Sequence, residues 1–274
     1  MLPLGPLGGE EEVGQEARLE DVYVALDTLT PSEAKADGRN AWVRRPDEDT
    51  LTALQAAAGS RRMALLGEAG SGKTSFVRYL CAWLAAACLG RREWPPDWGR
   101  GRFPLFVALG RLAPSLRDLE LAELSEEERR ERLAGAVRQR WLADLRELGA
   151  EEPERILEEA LTAGDVLLAF DGLDEVPEAL RGRVRLAVGA ALATYPEAAR
   201  VIVTCRSRSY AGPAVFAGFQ AHTLAPFDEK KIEEFTEAWY NTQAALDRLS
   251  RERARDLAAD FRRAALSPDL IDLS

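Results

Sequence analysis

Short apolar runs alternate with longer segments of helical periodicity through most of this chain. The apolar runs lie at residues 62–66, 103–109, 165–170 and 201–204, and each is typical of a buried strand. Residues 222–224 are a candidate for the last strand. Between them, residues 75–89 and Glu178–Thr194 place apolar side chains at helical spacing. Strands that alternate with helices indicate βαβ units. The pattern therefore predicts an α/β fold, a parallel sheet with helices on both faces that makes a three-layer sandwich.

The two ends of the chain depart from this alternation. Residues 1–18 are rich in Gly, Pro and Glu without periodicity, which predicts a disordered tail or linker. Residues 19–26 suggest a short strand, and residues 47–58 suggest a helix that leads into the first core strand. Residues 116–163 are helical in pattern, with charged positions that form solvated faces. Residues 228–240 and 244–265 form two helices with no strand between them, which predicts a C-terminal helical lid.

The most specific motif follows the first apolar run. Residues 67–74 spell Gly-Glu-Ala-Gly-Ser-Gly-Lys-Thr, a P-loop placed between a strand and a helix. Its glycines let successive backbone N–H groups point inward at phosphate oxygens, and the helix N-terminus adds partial positive charge. Lys73 would reach the β- and γ-phosphates, and the Thr74 hydroxyl would ligate Mg²⁺. The predicted nucleotide-binding residues here are Gly67, Glu68, Ala69, Gly70, Ser71, Gly72, Lys73, Thr74 and Ser75.

A second motif ends the apolar run before residue 171. The run Val-Leu-Leu-Ala-Phe-Asp has the form of a Walker B strand, and Asp171 at its end would hold Mg²⁺ through water. Asp174 and Glu175 follow closely and could orient the attacking water. A strand that ends in Asp-Gly is also a common turn, so this assignment depends on the P-loop about a hundred residues earlier.

A third candidate is Arg206, which follows the buried run 201–204. If this strand lies beside the Walker B strand, Arg206 provides a fixed cation near the γ-phosphate. The alternative is that Arg206 or Arg208 only pairs with a surface acid.

Composition narrows the class of protein. The formal net charge of −10 over 274 residues argues against a nucleic-acid-binding surface. We expect no membrane association, because no run of about 18 apolar residues exists and the N-terminus lacks the features of a signal peptide. Cys81, Cys88 and Cys205 have no metal-site or disulfide spacing, which favours a reduced, cytoplasmic location.

With these motifs in order, residues 19–274 resemble the NACHT family of STAND-class P-loop NTPases, including bacterial NLR-like members. The most specific element is Asp-Gly-Leu-Asp-Glu at residues 171–175, with a small residue after the magnesium aspartate and an acidic pair beyond it. The Thr-Cys-Arg of residues 204–206 is similar to a sensor motif whose usual form is Thr-Ser-Arg-Pro. Here Cys205 replaces the serine and Ser207 the proline.

The resemblance implies a domain organisation and a set of contacts. Residues 19–225 would form the P-loop NTPase domain and residues 226–274 a truncated helical lid. In the family, apolar residues upstream of the P-loop line the adenine, which implies a nucleotide contact for Val24. Pro226, at the entry to the lid, is implied as a second such contact.

The resemblance also implies an activity. ADP would hold a closed monomer, and ATP with Mg²⁺ would open it and let copies assemble into a ring, which is a switch for signal transduction such as innate immunity. Hydrolysis by Glu175, Asp174 and Arg206 would be slow and would reset the switch. The winged-helix region and repeat sensor of the family are missing here. We therefore expect a fragment of a longer protein, with an unknown effector upstream and an unknown sensor downstream.

Other nucleotide-binding classes fit less well. A GTPase would carry Asn-Lys-x-Asp, an ABC ATPase would carry Leu-Ser-Gly-Gly-Gln, and neither sequence occurs. A small-molecule kinase usually has a short arginine-rich lid, unlike the long helices at the C-terminus. A continuously cycling AAA-type motor and a scaffold that binds nucleotide without hydrolysis stay open as alternatives, although the intact acidic residues disfavour the scaffold.

Overall fold

The structure is a computed structural model that describes residues 17–29, 51–99, 102–198 and 200–267. The described residues divide into two compact units. One comprises residues 55–223, and the other combines the residues before 55 with those after 223. Among these residues, no helix combines the length and apolar character needed to cross a bilayer.

A five-stranded, all-parallel sheet forms the centre of the first unit. Its strands are β1 (Arg62–Gly67), β2 (Phe103–Ala108), β3 (Val166–Asp171), β4 (Arg200–Arg206) and β5 (Gln220–Thr223). Their order across the sheet is β2-β3-β4-β1-β5, so β4 lies between the P-loop strand and the Walker B strand. The predicted parallel sheet is confirmed, and each predicted core strand is present within a few residues of its expected bounds.

Helices follow these strands as the periodicity predicts. They are α1 (Leu19–Val22), α2 (Ala53–Gly59), α3 (Lys73–Cys88), α4 (Leu109–Arg117), α5 (Glu126–Glu147), α6 (Pro153–Ala163), α7 (Glu178–Thr194), α8 (Glu229–Ala245) and α9 (Arg251–Ala265). Short 3₁₀ turns occur at Leu173–Glu175, Ser207–Ser209 and Gly212–Ala214.

Both faces of the sheet are buried. Alternate strand positions such as Leu66, Val107, Phe170 and Val203 belong to one continuous hydrophobic core with residues of α4, α5, α6 and α7. In β1, β3 and β4 the intervening positions Leu65, Leu167 and Ile202 are also buried and face the opposite side, where α3 contacts β1, β2, β3 and β4. Because successive strand side chains point to opposite faces, this double burial explains the continuous apolar runs in the sequence.

The long helical segment at residues 116–163 is interrupted twice. Residues 118–125 and 148–152 are not helical, and Leu109, expected at the end of a strand, begins α4 instead. Ser125 caps α5 by accepting a hydrogen bond from the backbone N–H of Glu128, whose side chain in turn accepts one from the Ser125 N–H. This reciprocal capping gives α5 a defined start within a segment whose helical pattern looked continuous.

The predicted strand at residues 19–26 is wrong. Leu19–Val22 is one helical turn, started by hydrogen bonds between Arg18 and Asp21 in both directions. The following residues are extended but form only isolated bridges, Asp27 with Thr52 and Thr28 with Leu224. The helix expected from residue 47 begins at Ala53. Three parts of the predicted elements lie outside the described residues: 1–16 of the tail, 47–50 of this helix and 268–274 of the lid.

The second unit joins the described N-terminal segment to the C-terminal helices. The backbone N–H of Ala225 donates to Asp27 O at 2.9 Å, and Lys231 Nζ lies 2.5 Å from Asp27 Oδ2. Helices α1, α8 and α9 pack together here, with no strand among the described residues after 223. The helical C-terminal part is therefore confirmed.

Candidate functional site

The carboxyl ends of β1, β3 and β4 lie side by side at one edge of the sheet. Gly67, the first P-loop residue, is in register with Arg206 of β4, and Phe170, which precedes Asp171, is in register with Val203. Because β4 pairs with both β1 and β3, Arg206 stands on the strand next to the Walker B strand, as its predicted position near the γ-phosphate required. The order of strands thus places all three motifs at the same edge, where α/β sheets bind their ligands.

The P-loop connects β1 to the N-terminus of α3. Gly72 precedes the helix with φ of 89°, a left-handed conformation that favours glycine, and it provides no side-chain cap. The first N–H groups of a helix have no partner within the helix, so those of Lys73, Thr74 and Ser75 are left as donors. A glycine cap followed by free N–H groups is the geometry that binds phosphate.

The side chain of Lys73, the first residue of α3, contacts the P-loop that precedes it. Its ammonium group donates to the carbonyl oxygens of Gly67 at 2.9 Å and Glu68 at 2.7 Å, and to Ser71 Oγ at 3.2 Å. Only 8% of Lys73 is exposed, and this burial lowers the pKa of its ammonium group from 10.5, with Arg206 acting in the same direction and Asp174 opposing it. The loop therefore holds a partly desolvated cation, which attracts anions more strongly than a hydrated one.

Asp171 is buried and accepts hydrogen bonds from two hydroxyl groups. Its Oδ1 lies 3.2 Å from Thr74 Oγ1 and 2.6 Å from Thr204 Oγ1, and the Thr204 hydroxyl also accepts the backbone N–H of Gly172 at 2.8 Å. Thr204 is 1% exposed and Asp171 is 5% exposed. The carboxylate is thus held in one orientation from β4 and from α3.

The donor set at Asp171 fits Mg²⁺. A carboxylate and a hydroxyl oxygen within hydrogen-bonding distance are hard oxygen ligands, and Mg²⁺ typically takes only one or two protein ligands beside phosphate and water. The described residues contain no cluster of three or more His, Cys, Asp or Glu that could form an all-protein metal site. The pair formed by Thr74 and Asp171 therefore suits a metal that arrives with a nucleotide.

Asp174 and Arg206 form an ion pair across the ends of β3 and β4. Arg206 Nε lies 2.8 Å from Asp174 Oδ2, and the backbone N–H of Arg206 donates to Asp174 Oδ1 at 3.1 Å. The Asp174 side chain is 10% exposed and that of Arg206 is 53% exposed. The sequence predicted Arg206 as a cation near the γ-phosphate, with pairing to a surface acid as the alternative. Arg206 does pair with an acid, and that acid is Asp174 of the candidate site.

Glu175 differs from its neighbour. Its carboxylate makes no hydrogen bond to the described part of the chain, and it lies against Gly172 and Gly110. Gly172 has φ of 79°, and a Cβ there would lie 2.9 Å from Glu175 Cδ. A glycine is therefore needed directly after Asp171, because it permits the positive φ of the turn and leaves space for the Glu175 side chain.

The cysteines near the site behave as small core residues. Cys205, which stands where the resembled motif has serine, is fully buried, and burial raises the pKa of its thiol to about 11. Burial likewise raises the pKa of the Cys81 thiol on α3 to about 12. Both thiols are therefore protonated at neutral pH, as expected for buried core residues.

Two functional candidates from the sequence belong to the other unit, and two residues of the site had no role in the sequence analysis. Val24 and Pro226 belong to the second unit and stay predictions as nucleotide contacts. Thr204 and Arg181 had no role in the sequence analysis. Arg181 donates to the backbone carbonyl oxygens of Asp174 and Val176 at 3.0 Å each. A threonine within an otherwise apolar strand was the available signal for Thr204. Nothing in the sequence marked Arg181 among so many arginines.

Comparison with known proteins shows the family of the chain. The family model described as "NACHT domain" matches residues 61–243, two thirds of the chain, from the first core strand into α8. No curated protein matches the chain. NACHT domains are nucleotide-binding NTPases of a signalling type, consistent with the P-loop, Asp171 and Arg206 at one sheet edge. The chain belongs to the NACHT family of P-loop NTPases.

Proposed function

We propose that this chain is an ATP-binding, slowly hydrolysing switch for signal transduction, whose ADP or ATP state controls the opening and assembly of a larger cytoplasmic protein. The observation that carries the proposal is the arrangement at the ends of β1, β4 and β3. There the P-loop that carries Lys73, the buried Asp171 and the paired Arg206 are brought together by neighbouring strands. An effector segment, a sensor segment and further copies of the chain would be its partners.

Nucleotide binding begins with the phosphates. The backbone N–H groups at the start of α3 and the ammonium group of Lys73 bind the β- and γ-phosphates. Thr74 and Asp171 hold Mg²⁺, which neutralises charge on the phosphate oxygens when it is bound. The Thr204 hydroxyl keeps the carboxylate of Asp171 in place for this task.

Glu175 orients the attacking water and accepts its proton. Its carboxylate has no hydrogen-bonding partner among the described residues, whereas both oxygens of Asp174 are engaged with Arg206. Arg206 carries a half-exposed guanidinium group that donates to the γ-phosphate, which ADP lacks. The difference between ATP and ADP is thereby detected by Arg206, the last residue of β4.

The test is the nucleotide that the protein carries through purification, identified by chromatography after denaturation, together with steady-state ATP turnover. Bound ADP with turnover far below about 1 s⁻¹ supports a switch. An empty site with turnover of about 1 s⁻¹ or faster would instead indicate a cycling motor.

A matched pair of variants isolates the hydrolytic step. Glu175→Gln should keep ATP binding and abolish turnover. Glu178→Gln, the same substitution on an exposed residue of the first turn of α7, should change neither. Loss of turnover in Asp174→Asn with normal turnover in Glu175→Gln would reverse the two acidic roles.

A further inference from the structure

Asp174 occupies an unusual position for a catalytic acid. Its two carboxylate oxygens contact one residue, because Oδ1 accepts the backbone N–H of Arg206 at 3.1 Å and Oδ2 lies 2.8 Å from Arg206 Nε. A carboxylate that must polarise water needs an oxygen directed at that water. Asp174 instead has both oxygens committed to the arginine, and only 10% of its side chain is exposed.

The backbone that carries Asp174 is itself fixed from α7. Arg181 Nη2 donates to the carbonyl oxygen of Asp174 and Arg181 Nε donates to that of Val176, each at 3.0 Å. The N–H of Glu175 also closes a turn by donating to Gly172 O at 3.1 Å. Asp174 therefore projects from an anchored turn rather than from a mobile loop.

The guanidinium group of Arg206 is held at only one of its nitrogens. Nε contacts Asp174, whereas the two terminal amino groups make no hydrogen bond to the described residues, and 53% of the side chain is exposed. Arginine typically binds phosphate through two parallel N–H groups. Pairing at Nε removes rotational freedom from the side chain and leaves those donors available, which reduces the entropy lost on binding.

We propose that Asp174 is a positioning residue that sets the ATP-over-ADP preference of the site by orienting Arg206 toward the γ-phosphate. This inference rests on the proposed function of Arg206. The chain of contacts runs from Arg181 to the Asp174 backbone, from the Asp174 carboxylate to Arg206, and from Arg206 to the phosphate that distinguishes the two nucleotides.

The experiment is a double-variant cycle on nucleotide affinity, measured by titration calorimetry with ATP and with ADP in excess Mg²⁺. Glu175→Gln serves as the background, so that ATP persists during the titration. In that background we compare Asp174→Asn, Arg206→Ala and the double variant. Arg208→Ala, which removes an exposed arginine two residues away, is the matched control.

Arg206→Ala should weaken ATP binding by about tenfold to a hundredfold and leave ADP binding nearly unchanged, as expected for losing a hydrogen bond to a charged group. Asp174→Asn should weaken ATP binding by about tenfold, since an amide cannot hold the guanidinium group as a carboxylate does. The double variant should match Arg206→Ala within about twofold, because Asp174 acts through Arg206. Unchanged ADP affinity shows that each variant is folded.

Three results overturn the inference. A stronger ATP preference in Asp174→Asn would mean that the carboxylate restrains Arg206. An unchanged preference would mean that Asp174 does not act through Arg206, and additive losses would mean that the two residues act independently. If Arg206→Ala itself affects ATP and ADP equally, the sensor role in the proposed function fails as well. The two failures are therefore distinguishable.

Discussion

The Thr204 hydroxyl joins Asp171, the candidate magnesium ligand, to the neighbouring strand, and removing this hydroxyl tests whether the bond matters. Thr204→Val keeps the shape of the side chain in a position that is 1% exposed. It removes the 2.6 Å hydrogen bond to Asp171 and leaves the Gly172 N–H without its acceptor. Thr204→Ser is the matched control, because it keeps the hydroxyl and loses only one methyl group.

The expected magnitude follows from burial. A hydrogen bond to a charged group contributes about 1.5–3 kcal/mol, and a buried donor left unpaired costs about 1–3 kcal/mol. Since the two terms share one hydroxyl, we expect Thr204→Val to lower the free energy of unfolding by about 2–4 kcal/mol. That is a large part of a typical total of about 5–15 kcal/mol. Thr204→Ser should lose only about 1 kcal/mol, the worth of a buried methyl group.

Urea unfolding of the nucleotide-free protein in EDTA measures both free energies, and thermal unfolding in the same buffer gives the melting temperatures. We expect the melting temperature of Thr204→Val to fall by roughly 5–15 °C, and that of Thr204→Ser by only a few degrees. Equal stability of the valine variant and the parent would refute the reasoning. So would equal losses for valine and serine, because the methyl group and not the hydroxyl would then account for the effect.

Three further predictions concern the site and the sheet beside it. Lys73→Ala should abolish nucleotide binding. In the parent protein, affinity in a fluorescent-nucleotide titration should fall as pH rises and start to fall below 10.5, because burial lowers the pKa of Lys73 and the neutral amine attracts no phosphate. Gly172→Ala should keep nucleotide binding but lower turnover by about tenfold, since its Cβ would lie 2.9 Å from Glu175 Cδ, whereas Gly189→Ala, with open space around it, should not. Burial in the folded protein lowers the pKa of His222, so on acidification the imidazole takes up a proton at higher pH in the unfolded chain than in the folded one. The free energy of unfolding measured in urea should therefore fall as pH drops below 6.5. His222→Asn should remove that part of the pH dependence.

The sequence predicted those parts of the fold that depend on local pattern. Buried parallel strands give continuous apolar runs, and the P-loop has a fixed sequence, so β1, β3, β4 and the start of α3 were all recognisable. The position of Arg206 could be stated only as a condition, because the order of strands in a sheet depends on long-range pairing. The pairing of β4 with both β1 and β3 supplies what local pattern lacks.

The sequence was a poor guide where a few specific hydrogen bonds, rather than the pattern of apolar residues, decide the structure. The segment 19–26 was predicted as a strand, yet the bonds between Arg18 and Asp21 give its first four residues a helical turn. The roles of Asp174 and Glu175 could not be separated by spacing, because adjacent residues of the same charge differ here only in what they contact. The contact of Asp174 with Arg206 depends on tertiary structure, as does the anchoring of its backbone by Arg181.

The bridge between Thr28 and Leu224 has a consequence for how the protein is made. On the ribosome, Thr28 emerges roughly 200 residues before its partner, a delay on the order of 10 s or more at usual synthesis rates. The unit of residues 55–223 is complete before that partner appears. During this interval the apolar strip of Val22, Val24 and Leu26, which is buried in the finished protein, lacks the packing of α1 against α8. A nascent chain halted before Leu224 should therefore expose this apolar strip to chaperones, and release of the remaining residues should withdraw it.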